Sequence, residues 1–218
     1  MAYLVEKRRN KLRKIFLIGM AIGLSGCMQA GIGDPTDWYA SQQISAPKGT
    51  TVFICHATDC ARRERVTFSS ADMSKLKGIL ARGSGSASSE RAAIGKAVQW
   101  FEKRVGPQVG STNDVGGFDF SKVGKPGQMD CIDEATNTTS LLKLAQNRGY
   151  LRYHTTGRPA ARGFFLDGRY PHATAVAIET TSGTTFAVDS WTRDNGKPPE
   201  IMRLDVWMKS RPTGLQGI

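Results

Sequence analysis

Residues 130–149 run Asp130-Cys131-Ile132-Asp133-Glu134-Ala135-Thr136-Asn137-Thr138-Thr139-Ser140-Leu141-Leu142-Lys143-Leu144-Ala145-Gln146-Asn147-Arg148-Gly149. The spacing predicts a helix to about Asn147. Asp130 is a good N-cap, Ile132, Ala135, Leu142 and Ala145 share one face, and Gly149 stands just past the end. Cys131 falls in the first turn, where unpaired backbone amides and the positive end of the helix dipole favour a thiolate over a thiol. Beyond this helix the pattern turns to strands at 150–155 and 162–166. A hairpin follows, with arms 172–180 and 184–189 around Ser182-Gly183, and then a final strand at 201–207. One helix followed by antiparallel strands is α+β, with the helix packed on the sheet.

Upstream, residues 50–55 and 65–69 read as strands and 72–80 as a short helix. The Gly/Ser patch at 84–89 lacks the Gly-Lys-Ser/Thr of a phosphate-cradling loop. Ser88 or Ser89 then caps a strong helix with Ala92, Ala93, Val98, Trp100, Phe101 and Val105 on its buried side. Residues 106–127 read as one long glycine-rich loop anchored by Phe118 and Phe120. Loops of that length inside a domain are more often functional than accidental.

A cysteine nucleophile needs a base to take its proton, and the base needs a third group to fix its tautomer. His172 opens one hairpin arm and Asp189 closes the other, so antiparallel pairing brings them together, and the Cys131 helix end completes a Cys-His-Asp set. His154 is a competing base, but no acid follows it at hairpin distance, so it reads as structural. Three stretches resemble motifs of the transglutaminase-like superfamily of papain-fold cysteine enzymes. They are Gly127-Gln128-Met129-Asp130-Cys131 with its Leu-rich tail to Arg148-Gly149, then His172-Ala173-Thr174-Ala175-Val176-Ala177, then Val188-Asp189-Ser190-Trp191. The similarity covers roughly residues 95–210. The chain departs from the family pattern at Ser190, in place of a proline, and at Thr174, where an aromatic residue is usual. The resemblance implies a papain-like core with Cys131 as nucleophile, His172 as base and Asp189 as its orienting acid. The backbone amide of Cys131 is one oxyanion donor and Gln128 a second by analogy. Trp191 either shields the Cys–His pair or fills the core.

The chain has 218 residues and a net charge of +11. Six basic residues, Lys7, Arg8, Arg9, Lys11, Arg13 and Lys14, stand against Glu6 in residues 1–26, so +5 of that charge belongs to this segment and +6 to the rest. An apolar run at 15–24 follows, then Leu24-Ser25-Gly26-Cys27, which resembles a bacterial lipobox. The expectation is a signal peptide at 1–26 with Cys27 lipidated, a flexible tether at 27–48, and a single domain at 49–212. That domain comprises N-terminal strands and helices at 49–105 and a catalytic core at 127–210. Met28, in place of an aspartate, favours the outer membrane, facing the periplasm. No apolar run reaches the ~20 residues of a membrane-spanning helix. In an oxidising compartment Cys55 and Cys60 can close a small disulfide loop. The rival is a metal site with His56 and Asp59, but structural zinc wants a second ligand pair, which is absent, so no metal is expected. Cys131 is then the odd thiol.

The expected function is a lipid-anchored, periplasm-facing cysteine hydrolase or acyltransferase acting on amide bonds of a protein or peptide substrate, without a cofactor. Alternatives are a papain-like cell-wall endopeptidase, with cell-wall peptide as substrate, and a non-catalytic envelope lipoprotein that keeps the fold as a binding module. An exported chain without a basic–aromatic stacking pattern excludes a nucleic-acid partner.

Overall fold

A computed structural model describes residues 31–163 and 171–210. The protein is α+β. In chain order the elements are α1 (Thr36–Ser41), β1 (Thr51–His56), β2 (Arg62–Thr67), α2 (Ser70–Ala81) and α3 (Ala87–Val109). A 3-10 turn (Phe120–Lys122) precedes α4 (Cys131–Asn147), and β3 (His154–Arg162), β4 (His172–Glu179), β5 (Thr185–Asp189), β6 (Glu200–Arg203) and α5 (Leu204–Trp207) follow. Two antiparallel sheets form, a β1–β2 ribbon and a four-stranded sheet in the order β3-β4-β5-β6.

Helix α4 lies between them. Its Leu141, Leu142, Leu144 and Ala145 join the main core with Val52, Ile54, Phe101, Ala175 and Val188. Its polar residues are buried too, and they carry the docking. The Asn137 side chain accepts from the Cys55 amide at 2.8 Å and donates to the Cys55 carbonyl at 2.9 Å, so one helix residue completes both backbone groups at that point of β1. Asp130 caps the helix as expected, accepting from the amides of Ile132 and Asp133, with Asp133 closing the capping box.

Several expectations change. The tether at 27–48 is not free from Gly31 onward. Gly31 is wedged where a Cβ would meet Leu204 and Val176, Tyr39 is buried, and the Trp38 indole donates to Thr136 Oγ1 at 2.9 Å. Two aromatic rings outweigh the surrounding glycine and proline and lay α1 along α4. Helix α3 is capped two or three residues earlier than Ser88 or Ser89, because Ser86 forms a capping box with Ser89. It also runs on to Val109, carrying Pro107 in its last turn and ending at left-handed Gly110. The first strand of the main sheet is 154–162 instead of 150–155, and the expected strand at 162–166 lies mostly outside the described residues. The last strand stops at Arg203. A helical turn follows and swings Leu204 and Trp207 under the sheet, against Val176 and Ala187. A continuing strand would have pointed alternate residues outward and left the indole without a buried partner.

Candidate active site

His172 and Asp189 are diagonal across the β4–β5 pair, whose register sets Ala175 opposite Val188. His172 Nε2 meets Asp189 Oδ2 at 2.6 Å, with both side chains buried. The same oxygen accepts the Trp207 indole N–H at 2.7 Å. A carboxylate only accepts, so the proton in the first contact sits on Nε2. His172 Nδ1 is then a bare lone pair, and it is buried with no hydrogen-bond partner. The contact with Asp189 thus sets the tautomer of this imidazole.

Cys131 is the first residue of α4 and is buried. It packs with Ala135, Ala173 and Trp191, with Trp38 and Phe118 at the edge. The Trp191 ring lies 4.7 Å from that of His172, so this side chain covers both members of the pair. No hydrogen bond joins Cys131 to His172 Nδ1. The expected thiolate is also overturned. Burial pushes the Cys131 thiol up to about 12, with Asp130 adding to the rise and Asp189 and Asp133 contributing, against the opposing pull of the Ala173 backbone amide. Loss of water around the sulfur is the largest of these effects.

The carboxylates are held there by a turn that the sequence did not announce. Ala57, Thr58, Asp59 and Cys60 are four consecutive residues in the left-handed region, with φ between 51° and 69°. L-residues there cost about 1–2 kcal/mol each. The Cys55–Cys60 disulfide closes this turn. The turn aims its amides at the start of α4. Ala57 donates to the Gln128 carbonyl at 2.7 Å, Thr58 and Cys60 to Asp133 at 3.0 and 2.8 Å, and Asp59 to Asp130 at 2.9 Å. His56 faces the loop before α4. Its Nδ1 accepts the Gly127 amide at 3.0 Å, and burial lowers its tendency to protonate. Asp133 comes within 4.8 Å of the two sulfurs, but they are spent on each other.

Gln128, Met129 and Asp130, which precede Cys131 in the chain, line a cleft of about 60 Å³ with Phe118 and Trp191; Cys131 itself is not in its lining. Gln128 donates weakly to the Asn113 carbonyl at 3.4 Å. Asp130 caps the amides of Ile132 and Asp133, not that of Cys131, which stays outside the cap. Of the two expected loop anchors only Phe118 packs inward. Phe120 is 80 % exposed, stacked edge-on against Phe118 at 4.4 Å, and Val115 and Val123 are exposed on the same loop. A larger hollow, at residues 192–199, contains none of the expected site residues.

His154 does have an acid, supplied from α3 and not from the hairpin. Its Nδ1 meets Glu90 at 2.8 Å and its Nε2 meets Arg91 at 3.2 Å. Both ring nitrogens are engaged, so His154 has no lone pair to offer, and the structural reading stands on that geometry. Sequence reasoning missed Trp207, which it placed at the end of a strand, and the contact of Ser190 Oγ with Glu134 Oε2 at 2.6 Å. The demand of a buried indole N–H for an acceptor was the available signal for Trp207.

Cys27 and the leader at 1–26 lie outside the described residues. Among the described residues no helix is long and apolar enough to cross a membrane. No family model matches the chain, and neither a curated protein nor a solved structure matches it.

Proposed function

We propose that this protein is a cysteine hydrolase or acyltransferase of papain-like, transglutaminase-like architecture, acting on amide bonds of a peptide or protein. The observation that carries the reading is the bare, buried Nδ1 of His172, backed by Asp189 and Trp207, with Trp191 packed against both His172 and Cys131. Because the resting thiol is protonated, the attack is general-base assisted and does not start from a preformed ion pair. The Cys131 proton passes to Nδ1 as sulfur bonds the carbonyl carbon. The amide of Cys131 steadies the oxyanion. As the carbon–nitrogen bond breaks, Nδ1–H protonates the leaving amine. Water or a second amine then gives its proton to Nδ1 and releases the acyl group from sulfur. The disulfide suits an oxidising compartment, which supports an exported, lipid-anchored protein of the bacterial envelope, tethered through Cys27.

The experiment is acyl trapping. With p-nitrophenyl acetate, mass spectrometry should find an acetyl adduct on Cys131, absent in Cys131→Ala and formed at least tenfold more slowly in His172→Ala. Equal rates in wild type and His172→Ala overturn the reading. A binding module that retains the fold is the competing reading, favoured by the buried, protonated thiol. It expects a Cys131→Ser protein to behave as wild type.

A further inference from the structure

Three successive residues leave β5, and each touches a different part of the site. Asp189 holds His172, and Trp191 covers His172 and Cys131. Between them, Ser190 turns its hydroxyl to α4, donating to Glu134 Oε2 at 2.6 Å and lying 3.2 Å from Thr138 Oγ1. Cys131, Glu134 and Thr138 are spaced three and four apart, so they form one stripe on the helix. Glu134 and Ser190 are both buried, 5 % and 4 % exposed. The hydroxyl of Ser190 is therefore a directed link between the helix that carries the nucleophile and the strand end that carries the acid.

We infer that Glu134 is a positioning residue that holds Ser190, and through it Asp189 and Trp191, in place against Cys131, and that its ionisation opposes that of the thiol. The inference rests on the catalytic reading of Cys131, His172 and Asp189. Besides the Ser190 hydroxyl, which lowers it, the groups acting on Glu134 are carboxyls: Asp114 from the loop before α4, Asp189 from β5 and Asp130 at the helix cap; Glu134 in turn raises Glu102 of α3. Lys103 and Lys122 act on Glu102 and Asp114 respectively. Burial, with these like charges, raises Glu134 to about 8. Near neutral pH its proton keeps a negative charge away from the thiol one helical turn off. Above about 8 it joins Asp130, Asp133 and Asp189 in disfavouring the thiolate.

The test is the rate of Cys131 alkylation by iodoacetamide between pH 6 and 10 in the full chain. Glu134→Gln keeps an oxygen for Ser190 and cannot ionise. It should match wild type below pH 7 and react at least threefold faster at pH 9. Ser190→Ala should cut the His172 dependence, so that adding His172→Ala changes its rate less than twofold, against at least tenfold in the wild-type background. Near-UV circular dichroism from Trp191 and Trp207 checks that each variant is folded. A Glu134→Gln profile superimposable on wild type, or a folded Ser190→Ala protein with the full His172 dependence, overturns the inference. If His172→Ala has no effect in the wild-type background, the catalytic reading itself falls, and the inference with it.

Discussion

Trp207→Phe is the sharpest probe of how Asp189 is held. The substitution keeps a ring beside His172, whose centroid is 5.3 Å away, and beneath the Arg162 guanidinium at 4.2 Å. It deletes the indole N–H that reaches Asp189 Oδ2 at 2.7 Å, along with part of the ring. Asp189 is buried and its Oδ1 has no partner, so the carboxylate would fall from two donors to one. A hydrogen bond to a buried charge is worth about 1.5–3 kcal/mol, and the smaller ring adds a packing loss of its own. A double-mutant cycle with Asp189→Ala separates the two, since the packing loss appears in both arms. Urea unfolding at pH 7 should give a coupling energy of about 1.5–3 kcal/mol with an unchanged slope. A coupling under about 0.5 kcal/mol would mean that the indole merely fills space, and the account of Asp189 given above would be wrong.

Two further outcomes follow from the same geometry. Replacing Cys55 and Cys60 together by alanine opens a short loop whose closure contributes about 2 kcal/mol, and the urea midpoint should fall accordingly. An unchanged midpoint would show that the left-handed turn closes without its disulfide. Stability should also decline as pH rises from about 4 to about 9. Burial raises Asp114 to about 7, Asp133 and Glu134 to about 8 and Glu102 to about 9, so over that window the folded chain binds more protons than the unfolded one. Asp72, held at about 2 by Arg104, works the other way but only below about pH 4. Calorimetry showing a higher melting temperature at pH 9 than at pH 5 would contradict this.

What could be read in the sequence was local. Asp130 as a cap, the run of α4 to Asn147, the β4–β5 hairpin and the meeting of His172 with Asp189 each follow from spacing within one or two elements. The disulfide followed from counting cysteines. Partners far apart in the chain could not be read this way. Glu90 reaches His154 across 64 positions, Glu134 reaches Ser190 across 56, and Trp38 reaches Thr136 across 98. Trp38 and Tyr39 sit in a helix of six residues, too short for a period to show against the glycine and proline around it. The state of Cys131 was misjudged for a related reason. A helix start and its dipole are visible in sequence, whereas the burial that reverses their effect is not.

The left-handed turn at 57–60 also depends on the residues at the start of α4. Its four amides have acceptors only once α4 has formed and presented Asp130, Asp133 and the Gln128 carbonyl. Its backbone is unfavourable until those acceptors and the disulfide are in place. The ribbon that carries Cys55 is docked by Asn137 of that same helix. A chain in which Cys131 has paired with Cys55 or Cys60 cannot form the Cys55–Cys60 disulfide that closes this turn. Such a chain leaves Asp130, Asp133 and the Gln128 carbonyl short of the amide donors that the finished turn gives them.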